Sequence, residues 1–251
     1  MALLERVLQR GPGRAASGDG GEDRMTILEH LEALRRTLII SFIAWGLACV
    51  VGFLIWGRVL QFLLHRAGVA TVYYHTPTGA FTLALKIAIY LGFVIASPII
   101  IQQIWWFVSP GLKQGERRLV LPLIVATMFF FGVGIVFALF ALPLFIHILT
   151  GFAPANLRYL PFVEDYINFI LVLIIGFGIV FELPVVVYVL GLMGIISSRW
   201  LYANRFYWVI GIAILAYLAT PGVDPVTPLV MFVPLYVFWE GTALLLRLTG
   251  H

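Results

Sequence analysis

Long apolar stretches separated by short polar breaks fill most of this chain. Residues 37–57, 80–108, 119–150, 162–190 and 206–219 are dominated by Leu, Ile, Val, Phe and Ala, and a sixth such stretch ends near Leu246. Nearly uncharged runs of this length predict bilayer-crossing helices, in which the backbone satisfies its own polar groups. The expected fold class is all-α: a polytopic membrane protein with six transmembrane helices. Ahead of the first span, Ile27, Leu28, Leu31, Leu34 and Leu38 recur at helical spacing among polar residues. This predicts an interfacial helix over 25–36 that leads into the membrane.

The pattern also predicts irregularity. Pro98, Pro122, Pro143, Pro184 and Pro234 sit within or at the edges of spans, and each removes a backbone donor and kinks or ends a helix. The fifth stretch is short. Its residues 206–219 reach only about 21 Å at 1.5 Å per residue, against a hydrocarbon core of about 30 Å. A short span next to long ones implies a thinned bilayer or water penetration.

Composition agrees with the pattern. The 251 residues are 62% hydrophobic and 11% charged, and no mixed, charged segment is long enough for a soluble domain. Residues 1–24 hold Gly11-Pro12-Gly13-Arg14 and Gly18-Asp19-Gly20-Gly21, and read as a flexible cytoplasmic extension. Residues 25–251 form the membrane domain. The single cysteine, Cys49, excludes a disulfide framework and is expected to serve packing.

Charge sets the orientation. With the N-terminus inside, the inner segments hold twelve Lys and Arg residues and the outer ones three, Arg58, Arg66 and Arg158. The positive-inside rule then places both termini in the cytoplasm. The net charge of +4 comes from these topological arginines. It forms no basic stripe with interleaved aromatics, so nucleic acid is not an expected partner.

Few residues carry chemistry. Glu182 interrupts the fourth stretch, in Phe177-Gly178-Ile179-Val180-Phe181-Glu182-Leu183-Pro184. An ionisable group at such a depth costs about 2.5–3.5 kcal/mol on insertion scales. Three roles are open to it: a polar docking site, a proton relay, or a carboxylate capping the backbone broken by Pro184. Glu116, in Lys113-Gln114-Gly115-Glu116-Arg117-Arg118, reads alone as a solvated loop charge. Glu240 reads as a helix-end salt bridge or a functional acid. Asp224 before Pro225 reads as a turn, and Lys86 as a snorkelling side chain. The five histidines have no metal-ligand spacing, and phosphate-loop, G-x-S-x-G and H-E-x-x-H motifs are missing. No cofactor, metal or enzymatic activity is expected. A receptor, channel or transporter is.

Several segments together resemble one family. His30-Leu31-Glu32-Ala33-Leu34-Arg35 resembles the H-L-x-E-L-R motif of the TatC family, the receptor subunit of the twin-arginine protein translocase. Ser97-Pro98, Phe107-Val108-Ser109-Pro110-Gly111-Leu112 and Glu116-Arg117-Arg118 resemble its second span and first cytoplasmic loop. Phe177-Gly178 with Phe181-Glu182-Leu183-Pro184 resembles its F-G-x-x-F-E-x-P signature. Thr220-Pro221 with Asp224, Pro234 and Glu240 resembles its last turn and span. These matches are colinear from about residue 28 to 247.

The resemblance implies a multi-pass receptor in the cell membrane, working in an oligomeric complex within membrane lipid. It would bind twin-arginine signal peptides of folded cargo and recruit single-span partners of the TatA and TatB kind, driven by the proton-motive force. It implies that Glu116 contacts the signal peptide with Phe107 and Arg35 beside it, and that Glu182 faces a partner helix. The family's glutamate in the first motif falls on Ala33 here, which leaves the nearby Glu29 and Glu32 as substitutes. Glu29, four residues before Ala33, shares its helical face. The rival reading is a small secondary transporter with a midplane carboxylate, whose expected inverted repeat is not evident in the sequence.

Overall fold

The computed structural model describes residues 27–69, 71–112, 115, 117–151, 153–154, 156, 160–220 and 226–250. The proposed 1–24 extension, Glu116 and Asp224 lie outside them.

Eight α-helices are present among the described residues: α1 (Ile27–Arg66), α2 (Gly79–Val108), α3 (Val120–Gly151), α4 (Val163–Val180), α5 (Leu183–Leu192), α6 (Ser198–Ala203), α7 (Arg205–Ala219) and α8 (Val226–Leu248). Short 3-10 turns at Ser109–Gly111 and Arg117–Leu119 flank the α2–α3 connection. Five segments are long and apolar enough to cross a membrane, with α4 and α5 together forming one of them. The sixth expected span, α7, is a shorter apolar helix of 15 residues.

Two boundaries differ from expectation. The interfacial helix over 25–36 is not separate. It is the first part of α1, which runs unbroken for 40 residues, since nothing between Ile27 and Arg66 breaks a helix. Conversely, the fourth stretch is not one helix. Pro184 has no N–H to close onto the Val180 carbonyl four residues back, so α4 ends at Val180 and α5 restarts with Pro184 in its first turn.

α4 is the axis of the bundle. Ile167, Ile170, Leu173 and Phe177 are fully buried on it, and it packs against α2, α3 and α7. A second cluster joins α2, α3 and α5 through Trp105, Ile124, Phe131, Val185 and Val189. α1 lies outermost and packs mainly on α2. Phe42, Ile43, Leu47 and Leu54 are exposed on it, as suits a helix bathed in lipid.

Glycines set the closest crossings. A Cβ on Gly92 of α2 would stand 2.7 Å from Cys49 Sγ and 2.8 Å from Cys49 N on α1. Cys49 therefore serves packing, as its sequence context predicts.

Two prolines inside helices strand carbonyls, and side chains recover both. Pro98 leaves the Val94 oxygen without its usual donor, and Ser97 Oγ donates to it at 2.8 Å. Pro143 does the same to Leu139, whose oxygen accepts from Arg66 Nε at 3.0 Å. In lipid, where water cannot replace the missing bond, such substitution is what lets proline remain in a span.

Candidate functional site

Two polar regions stand out. The first surrounds Glu182 at the α4–α5 break. The Glu182 N–H donates to the Ile179 carbonyl at 3.1 Å, and the residue occupies the N-cap position of α5. Its side chain makes no capping bond, so of the three roles open to it the capping one is not seen. The polar neighbours of the carboxyl group are the Thr127 side chain and the Phe131 main chain on α3. Thr127 is itself buried, and its Oγ1 accepts from Trp105 Nε1 of α2 at 3.0 Å. Glu182 Oε1 is buried without a hydrogen-bond partner, and the carboxylate has no ion pair among the described residues. The site is a half-buried acid at a helix break with unspent acceptor capacity.

The second region is the end of the bundle where α1 begins and α2 ends. Glu29, Glu32 and Arg35 are all exposed on the first turns of α1, and Ala33 is half-buried. His30 stacks on Phe107 of α2 with ring centroids 4.3 Å apart. That contact ties the acidic start of α1 to the Phe107-bearing end of α2. Beyond Phe107, Pro110 lies in the Ser109–Gly111 turn, and Leu112 is buried beneath it.

Glu240 belongs to neither region. It pairs with Arg205 at 3.1 Å, joining α7 to α8. Arg205 also donates to the Tyr236 hydroxyl and lies over the Tyr236 and Trp239 rings. Of the two readings of Glu240, the salt bridge is the one present. Pro98 and Pro110 shape backbone rather than supply chemistry.

The sequence reading passed over three participants. Trp105 and Thr127 carry the polar contact from α2 to Glu182, and the only signal for them was a polar residue in an apolar span. His30 was visible only as part of a motif. Its stacking depends on how α1 meets α2. No cluster of three or more His, Cys, Asp or Glu side chains is placed to hold a metal among the described residues.

A bundle of long apolar helices with one carboxylate at a mid-span helix break, and a charged region at one end, defines a polytopic membrane protein. Sequence comparison makes this specific. The profile of the Sec-independent protein translocase protein TatC family matches residues 29–234, and the chain belongs to that family. A TatC from Carboxydothermus hydrogenoformans is 42% identical over 223 residues, covering 87% of this chain and 92% of its own. The chloroplastic TATC of Arabidopsis thaliana is 31% identical, covering 92% of this chain and 68% of its own. A crystal structure of a twin-arginine translocase receptor, TatC, superposes with a TM-score of 0.76 at 34% identity, covering 89% of this chain and 100% of its own. The chain is thus a multi-pass protein of the cell membrane and a component of a Sec-independent protein translocase.

Proposed function

We propose that this protein is the receptor of its translocase, binding twin-arginine signal peptides at the end where α1 begins and α2 ends. The observation that carries this reading is the His30–Phe107 stack at 4.3 Å, which holds the exposed Glu29 and Glu32 beside the end of α2. Carboxylates suit the task because guanidinium groups pair with them bidentately, with fixed geometry. Glu29 is the substitute for the carboxylate missing at Ala33. α1 is helical from Ile27, so Glu29 lies on the Ala33 face one turn, about 6 Å, nearer the terminus. Glu116 completes the acidic set, and Arg35 and Phe107 flank it.

In this reading the chain has six spans, with α7 as the fifth and both ends in the cytoplasm. Residues 1–24 precede the membrane domain on the cytoplasmic side. Single-span partners of the TatA and TatB kind assemble on the protein, with the free oxygen of Glu182 as their polar contact. The proton-motive force drives passage.

Binding of a fluorescent twin-arginine peptide to the purified protein tests the receptor role. The arginine pair is expected to bind at least tenfold more tightly than the same peptide with two lysines, since lysine lacks the planar fork. Equal affinity for the two would refute carboxylate recognition. Cysteine labelling in intact cells tests the topology, and outside labelling at Gln114 would contradict it.

A further inference from the structure

Beside the Glu182 break, α3, α5 and α8 border a groove of about 530 Å³, with Ala126 and Phe130 on one wall and Pro184 and Gly241 on the others. Among the described residues its lining offers two hydroxyl groups, on Tyr188 and Thr242. That of Thr242 is already given to the Phe238 carbonyl at 2.8 Å. A Cβ placed on Gly241 would touch nothing within 4 Å, so this glycine helps leave the space open.

Lining chemistry and charge decide the occupant. Apart from the Tyr188 and Thr242 hydroxyls the walls are apolar, which suits a hydrocarbon chain. At one end of the groove the chain supplies positive charge. Arg117 and Arg118 form the 3-10 turn that runs into the groove-lining Leu119. Both are exposed, and neither has an acidic partner among the described residues. Paired arginines at a membrane surface attract phosphate, by charge and by their planar donor forks.

We propose that this groove is a phospholipid site: one acyl chain lies between α3, α5 and α8, and Arg117 and Arg118 hold the phosphate of an anionic headgroup. The groove adjoins both proposed sites, since Arg117 and Arg118 follow Glu116 and Pro184 lies two residues from Glu182, but lipid retention measured without peptide or partner reads the groove alone.

Native mass spectrometry of the full-length protein, titrated in mild detergent with phosphatidylglycerol or phosphatidylcholine, tests it. One tightly held lipid is expected, with phosphatidylglycerol preferred. Arg117→Gln and Arg118→Gln should each weaken phosphatidylglycerol binding about fivefold and leave phosphatidylcholine unchanged. Gly241→Leu should abolish retention of both. Ala126→Leu blocks the same space from α3 and serves if Gly241→Leu does not fold. Equal retention of the two lipids by the unmodified protein would overturn the proposal. So would wild-type binding by a folded groove-filling variant. A photoactivatable acyl chain should label the α8 segment. Crosslinking of Gly241→Cys to a single-span protein, without lipid labelling, would assign the groove to a partner helix and also overturn it.

Discussion

Arg66 Nε donates to the carbonyl oxygen of Leu139 at 3.0 Å, and Leu139 is the residue four before Pro143. An arginine at the end of α1 thus repairs the hydrogen bond that a proline removes from α3. The guanidinium also lies over the Phe140 ring, 4.8 Å from its centroid. Arg66→Met should cost about 1 kcal/mol, toward the low end of the penalty for a carbonyl left without a donor because this one is only part-buried. In a Pro143→Ala background the regained main-chain N–H supplies the bond, and the same Arg66 substitution should cost much less. Thermal unfolding of the four proteins of this cycle measures the coupling. Additive effects would show that Arg66 does not act through Leu139.

The α1–α2 crossing gives a second expectation. Gly92→Ala places a methyl group 2.7 Å from Cys49 Sγ and 2.8 Å from Cys49 N. Overpacking of this kind costs about 1–3 kcal/mol. Cys49→Ala should not rescue it, because the backbone nitrogen stays in place. Restoration of the melting temperature in the double variant would mean that the sulfur alone sets the spacing.

These two relationships show what could be read in the chain and what could not. The apolar helices were legible because bilayer helices are written in composition; five of the six expected spans are long enough to cross a membrane, and α7 is shorter. Pro184 already pointed to a broken backbone beside Glu182, and continuous apolar character left only the exact ends of α4 and α5 open. The donor rule for proline identifies Leu139 and Val94 as stranded acceptors from sequence alone. Ser97 adjoins Pro98 and is an obvious local donor, but Arg66 is 73 residues from Leu139, and no periodicity links them. The same holds for the site. Glu182 was conspicuous as a charge in a span, whereas Trp105 and Thr127 became its neighbours only when α2, α3 and α5 packed. Glu240 was undecided in sequence because its partner, Arg205, lies on another helix.

Glu182 has no ion pair among the described residues, so removing its charge leaves no buried cation behind. Glu182→Ala should therefore insert and fold normally, while assembly of single-span partners during transport falls. Glu182→Gln should do less harm if hydrogen bonding is what the partner requires. Partner crosslinking in membranes, normalised to receptor level, measures both. Unchanged crosslinking in Glu182→Ala would remove this residue from the partner surface.

The central claim is that acidic side chains at the start of α1 and in the loop after α2 receive the signal arginines. Titration of a labelled twin-arginine peptide against Glu29→Ala, Glu32→Ala and Glu116→Ala tests it most directly. Glu29→Ala and Glu116→Ala should each weaken binding by about 1.5–3 kcal/mol, typical of a charged hydrogen bond. Glu32→Ala, about 100° away on the helix, should have a smaller effect. Ala33→Glu should hold or raise affinity, with any gain reduced by salt. Loss of binding in Glu32→Ala, or full binding in Glu116→Ala, would contradict this placement of the receptor site.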